Sequence, residues 1–167
     1  LSVFSILTGV AVVVGYALLG ATWIILKTEN ALQRRMQNYA WYLGAGTLVF
    51  IGVVSILTPF QDPEYFQRWL NLPGSIFSVI MPGAVLAAAW ALFTGLNAGK
   101  DGQPFFAALS IFVLCFIGIG ISFYPNIIPP SLTIAEAAAP DESLRFALVG
   151  TVVLVPMILA YTAYAYW

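Results

Sequence analysis

Histidine is absent from the 167-residue sequence, and charged side chains make up only 8% of it. Without histidine the chain cannot contain histidine-ligated haem, a zinc–histidine site or a Ser-His catalytic pair. A net charge of −1 provides no basic surface for nucleic acid, so we expect no nucleic-acid partner. Soluble domains carry about 25% charged residues, and this chain has too few charges to cover a soluble surface.

Cysteine occurs once, as Cys115 within an apolar run, which excludes an internal disulfide and a thiolate cluster. We interpret it as a small buried hydrophobe. Acidic and basic residues are also missing from the centres of the long apolar runs. Ionisable residues inside a bilayer mark proton and ion pathways, so the sequence argues against a carboxylate pathway through its own core.

Long apolar runs are what the sequence has in abundance: 61% of residues are hydrophobic and the mean hydropathy is +0.94. The runs are continuous rather than alternating, which predicts an all-α membrane protein rather than a β-barrel. Charged residues separate five charge-free stretches, residues 1–26, 36–61, 69–99, 102–135 and 146–167. Each is long enough for a spanning helix of about 20 residues.

We therefore predict one transmembrane helical bundle over residues 1–167, with five spanning helices at about 3–27, 31–58, 75–97, 104–124 and 142–167. A short interfacial helix is expected between the second and third, at about 64–70, because Asp62-Pro63 opens an amphipathic segment there. Pro82 and Pro156 fall inside predicted helices, which membrane helices tolerate. Residues 124–130 predict an extended apolar loop, since three prolines interrupt them.

Lysine and arginine predict the orientation. Lys27, Arg34 and Arg35 lie between the first and second helices, and Lys100 lies between the third and fourth. The opposite loops hold only two basic residues against five acidic ones. The loop between the first and second helices and the loop between the third and fourth are therefore predicted to be cytoplasmic, and the C-terminus with them. The apolar run starts at Leu1 and no polar tail follows Trp167, so we expect both ends to lie within a longer chain.

Small residues recur every four positions along the third predicted helix and predict a close helix–helix packing interface. They are Gly83, Ala87, Ala91, Gly95 and Gly99. A second, weaker candidate is a cytoplasmic contact with lipid or with another subunit through the ionisable residues near the first loop, Lys27, Glu29, Arg34 and Arg35. The simpler explanation of those four residues is that they are snorkelling side chains that only determine the topology.

Three segments resemble one family. Residues 15–29 (GYALLGATWIILKTE) are similar to the fifth transmembrane helix of subunit II of cytochrome bd-type quinol oxidases. Residues 122–134 (SFYPNIIPPSLTI) resemble the external loop before that family's last helix, and residues 155–167 (VPMILAYTAYAYW) resemble the last helix itself. Their order makes the chain similar to the C-terminal half of that subunit.

The resemblance implies a non-haem, mainly structural portion of a bacterial plasma-membrane oxidase that oxidises quinol and reduces oxygen to water in the respiratory chain. Two b-type haems and a third haem, d-type or b-type, are expected in subunit I of the complex. The implied partners are that haem-bearing subunit, membrane lipid, the N-terminal half of the same subunit and a small single-helix accessory subunit. No catalytic, cofactor-binding or metal-binding residue is carried over to this chain.

Two other functions stay open on the residues alone. A transporter half would bind its substrate at a repeat interface and would show no redox activity. A membrane scaffold subunit would use the small-residue interface to hold a partner without an enzyme.

Overall fold

Long helices dominate the chain because a bilayer offers no water to backbone N–H and C=O groups, and a helix satisfies them within one segment. The computed structural model describes residues 2–58, 74–128 and 131–166. Their elements, in order, are α1 (Val3–Lys27), α2 (Asn30–Leu57), α3 (Gly74–Asn97), α4 (Gln103–Phe123), β1 (Asn126–Ile128), β2 (Leu132–Thr133), α5 (Ile134–Ala137) and α6 (Asp141–Tyr166). Five helices of the described ranges are long and apolar enough to span a membrane, which confirms the predicted class.

The predicted helix bounds agree with the observed ones to within a residue or so at each end. Pro82 lies inside α3 and Pro156 inside α6, as predicted. The predicted interfacial helix at 64–70 lies outside the described residues. The chain divides into two compact units, Leu1–Ser122 and Phe123–Trp167, and a single bundle over the whole length stays a prediction.

The core of the first unit is formed where α1, α3 and α4 present their largest fully buried aliphatic side chains. Leu18 and Ile25 of α1, Leu92 of α3 and Ile111 of α4 are each at most 1% exposed. Ala40 of α2 completes this core at 0% exposure. Most other apolar side chains of these helices stay exposed, as expected where lipid rather than water surrounds them.

Glycines allow the helices to approach closely at two places. A Cβ built on Gly15 of α1 would lie 2.7 Å from Cζ of Phe112 in α4. A Cβ built on Gly44 of α2 would lie 3.1 Å from Cδ2 of Leu92 in α3. A side chain at either position would occupy space that the neighbouring helix already fills.

The second unit contains a short antiparallel hairpin, a turn of helix and the long helix α6. In the hairpin, Asn126 of β1 is opposite Thr133 of β2. Of the extended loop predicted for residues 124–130, extended backbone is observed at 126–128, while residues 124 and 125 form a turn and residues 129 and 130 lie outside the described ranges. The strand pairing is an additional finding. The backbone N–H of Ile134 donates to the carbonyl of Pro125 at 2.9 Å, which ties the start of α5 to the beginning of the loop.

The close approach at Gly15 predicts a position-specific effect of one methyl group. Gly15→Ala should lower the stability of the detergent-purified protein by about 1–3 kcal/mol, because the Phe112 ring must move. Gly20→Ala on the same helix is the matched control, since no atom lies within 4 Å of its Cβ position. Melting temperatures of the two variants measure the difference, and equal values would contradict the close approach.

Candidate functional site

The turn between α1 and α2 brings charged residues to one end of the first unit. Asn30 adopts a φ of 63°, in the left-handed region that asparagine tolerates better than most residues, and this reverses the chain into α2. Lys27 places its Nζ 5.2 Å from the centre of the Trp23 ring, a cation–π geometry. Arg34 and Arg35 lie on the first turns of α2 and are exposed.

Gln33 connects this turn to a second one. Its side-chain Nε2 donates to the carbonyl of Ile25 at 3.0 Å and to Oδ1 of Asp101 at 2.8 Å. Asp101 lies in the turn between α3 and α4, so the two turns lie side by side at the same end of the unit. This agrees with the prediction that these loops share one side of the membrane, and the assignment of that side to the cytoplasm stays a prediction.

The end of α3 is closed by a Schellman motif. Gly99 has a φ of +64°, its N–H donates to the carbonyl of Leu96 at 3.2 Å, and the Lys100 N–H donates to the carbonyl of Gly95 at 3.0 Å. These two bonds satisfy carbonyls that the last turn of a helix would otherwise leave without partners. Gly99 thus lies beyond the last residue of α3, Asn97, and serves the turn.

The two ends of the predicted small-residue interface on α3 have different surroundings in the structure. At the C-terminal end of the interface, a Cβ on Gly95 would lie 3.0 Å from Cγ of Gln103. The carbonyl of Ala91 there accepts a hydrogen bond of 2.8 Å from Gln103 Nε2. At its N-terminal end, no atom of the described residues lies within 4 Å of the Gly83 Cβ position, and Ala87 is exposed. Among the residues that the structure describes, the neighbour of this interface is therefore at its C-terminal end, and it is the side chain of Gln103.

Carboxamides are the functional groups that the sequence analysis missed. Gln33 and Gln103 bond backbone carbonyls of neighbouring elements, and a further set lines a cavity of about 500 Å³ between α2 and α3. The lining residues are Gln37, Asn38, Trp41, Tyr42, Leu96 and Asn97. The sequence did contain a signal for these carboxamides, because Gln33 and Gln37 are one helical turn apart and therefore share a face of α2.

The residues that the structure describes do not gather the ligands of a haem or metal site. Within ranges 2–58, 74–128 and 131–166, no group of three or more His, Cys, Asp or Glu could hold a metal ion. The four sulfur ligands of the chain lie in separate surroundings. Met36 and Cys115 pack against the hydrophobic core, Met81 of α3 is half-buried, and Met157 of α6 is 59% exposed.

Glu136, the acidic residue that follows the hairpin of the second unit, accepts a hydrogen bond from the backbone. Thr133 caps α5 and forms a capping box, in which Glu136 accepts from the Thr133 N–H at 2.9 Å and from the Thr133 hydroxyl at 2.7 Å. These two bonds, the backbone one first, hold the pKa of Glu136 below its ordinary value. The carboxylate is therefore ionised at neutral pH and is used to cap the helix.

Known proteins resemble the chain throughout its length. The family model described as cytochrome bd terminal oxidase subunit II matches residues 1–167. The chain belongs to this family. The match confirms the resemblance seen in residues 15–29, 122–134 and 155–167.

Two curated relatives show how much of a cytochrome bd oxidase subunit II the chain represents. The cytochrome bd ubiquinol oxidase subunit 2 of Bacillus subtilis (strain 168) is 26% identical over 174 residues, which cover 100% of this chain and 49% of the relative. The cytochrome bd-I ubiquinol oxidase subunit 2 of Escherichia coli (strain K12) is 26% identical over 200 residues, or 100% of this chain and 52% of the relative. The chain spans about half the length of these relatives, which is consistent with the predicted C-terminal half.

The bridge made by Gln33 predicts a measurable stability effect. Gln33→Leu removes both donated bonds and should lower stability by about 1–2 kcal/mol, seen as a lower melting temperature in detergent. Asp101→Asn keeps an Oδ1 acceptor for the same donor, so its loss should be smaller. An unchanged melting temperature for Gln33→Leu would show that the bridge does not join the two turns.

Proposed function

We propose that this chain forms part of subunit II of a membrane-bound quinol:oxygen oxidoreductase of the cytochrome bd type. The observation that carries the proposal is the family match over all 167 residues. The relatives are subunits of ubiquinol oxidases by name, and a subunit of such a complex need not carry its redox centres. The role proposed here is mainly structural, and a haem-bearing subunit I with two b-type haems and a third haem supplies the redox chemistry.

The composition of the described spans supports this division of labour. Their helices lack histidine, and the hydroxyls of their buried threonines bond the backbone of their own helix. Thr22, fully buried in α1, donates to the carbonyl of Leu18 at 2.9 Å, and Thr47 of α2 donates to the carbonyl of Leu43 at 2.7 Å. Such helices can pack against a partner and position it, and within the described ranges no group of three or more His, Cys, Asp or Glu could hold a metal ion.

We place the chain in the bacterial plasma membrane with its C-terminus cytoplasmic. Five helices of spanning length support a multi-pass protein. The two turns joined by Gln33 and Asp101 carry Lys27, Arg34, Arg35 and Lys100, and basic loops favour the cytoplasmic side. An odd number of spans then puts the two ends of this segment on opposite sides.

The open end of the small-residue interface is the best candidate for a subunit contact. Gly83 and Ala87 share a face of α3 with the large side chains of Leu86 and Trp90, which are 66% and 72% exposed. Small residues flanked by large ones form a recess that another membrane helix can enter. We assign this recess to contact with subunit I or with the N-terminal half of subunit II.

A difference spectrum tests the proposed function most simply. The full-length subunit should be purified with its bound partners from the native membrane, and the preparation should show reduced-minus-oxidised haem bands and quinol-driven oxygen uptake. A colourless preparation that binds a transported solute would support the transporter alternative. A colourless assembly without such binding would support the scaffold alternative, and either result would overturn the oxidase proposal.

Substitution of Ala87 tests the recess itself. Ala87→Leu should reduce recovery of the intact assembly by about fivefold or more, because the added side chain separates helices that would otherwise be in contact. Ala87→Ser is the matched control, since it keeps a small side chain at the same place, and it should assemble normally. Equal recovery of the two variants would rule out close packing at this position.

Gly95→Leu is expected to act differently. Its side chain would collide with Gln103 within the same unit, so it should lower the stability of the isolated subunit as well as its assembly.

A further inference from the structure

We propose that the cavity between α2 and α3 binds the headgroup region of an anionic phospholipid. Its lining divides into a polar part, formed by the carboxamides of Gln37, Asn38 and Asn97, and an apolar part, formed by Trp41, Tyr42 and Leu96. A volume of about 500 Å³ is large enough for the phosphate and glycerol groups of one lipid.

The position of the cavity along α2 matches the boundary between headgroups and acyl chains. All charged and carboxamide residues of α2 lie within residues 30–38, and the apolar part runs from Tyr39 to Leu57. That apolar part is roughly 28 Å long at about 1.5 Å per residue, close to a hydrocarbon thickness of about 30 Å. The carboxamides therefore lie at headgroup level, and Trp41 and Tyr42 lie just below it, where aromatic belts form.

The apolar part of the cavity is held in place by packing. The missing side chain of Gly44 brings Phe93 close to α2, with its Cζ 3.5 Å from the Gly44 Cβ position. Phe93 then packs edge-on against Trp41, with ring centres 5.5 Å apart, and Trp41 packs against Tyr42 at 5.7 Å. Leu96, only 7% exposed, lies beside these rings. These contacts position Trp41 and Leu96, while Tyr42, at 73% exposure, is open to a ligand.

The charge around the cavity favours an anion. Arg34 and Arg35 precede Asn38 by four and three positions, which places them on the same face of α2, and both are exposed. The nearby acid Asp101 already accepts a hydrogen bond from Gln33. Each carboxamide offers two N–H donors to phosphate oxygens, and the two guanidinium groups would repel the ammonium of a zwitterionic lipid. An anionic headgroup such as phosphatidylglycerol satisfies both conditions.

Native mass spectrometry tests this inference on the full-length subunit with its co-purifying partners. The delipidated assembly should be titrated with phosphatidylglycerol and, separately, with phosphatidylcholine of the same acyl chains. We expect phosphatidylglycerol to bind more tightly, and Gln37→Leu combined with Asn38→Leu to weaken that binding by about tenfold or more. Tyr39→Leu, on the same helix but outside the lining, is the matched control and should bind as the unmodified protein does.

A second variant keeps the test independent of folding. Arg34→Gln combined with Arg35→Gln changes only exposed side chains and should reduce the preference for phosphatidylglycerol over phosphatidylcholine. Equal binding of the two lipids by the unmodified protein would overturn the inference. Preferential binding that neither double variant alters would also overturn it, because the lipid would then bind elsewhere. These outcomes do not depend on oxidase activity, so they are separate from the proposed function.

Discussion

The need to satisfy every polar group without water shapes this protein. Its backbone does so by forming long helices, and its threonines do so by bonding carbonyls one turn back, as Thr22 does to Leu18 and Thr47 to Leu43. Among the described residues, no buried side-chain nitrogen or oxygen is left without a hydrogen-bond partner. Helices built in this way present mainly apolar side chains to their surroundings, which fits the structural role proposed for the chain.

The polar side chains that bond between elements of the first unit lie at one end of it, at the turns between α1 and α2 and between α3 and α4. There Gln33 joins two turns, Gln103 binds the last turns of α3, and Gly99 closes that helix. The same end has the exposed arginines and the cavity between α2 and α3. For a member of the cytochrome bd oxidase subunit II family, this separation gives one chain two kinds of surface, an apolar one for other helices and a polar one for the membrane boundary.

Much of the fold could be predicted because it depends on local physics. Apolar run length against bilayer thickness sets the number and bounds of the spans. The pairing of Asn126 with Thr133 could not be predicted, because the register of two short strands depends on the geometry of their connection and not on residue composition. The Gln33–Asp101 bond joins residues 68 positions apart, and no local pattern encodes such a distance. The regular spacing of small residues identified α3 as a packing surface but could not show that Gly95 faces Gln103 while Gly83 remains open.

In the function proposed for it, this chain positions the redox centres of a complex without holding one. An experimental density map of the complete assembly, purified from its native membrane, tests this role directly. Every haem iron should take its protein ligands from another chain, and α3 should meet a neighbouring helix at Gly83 and Ala87. A haem iron ligated by Cys115 or by a methionine of this chain would overturn the proposed role.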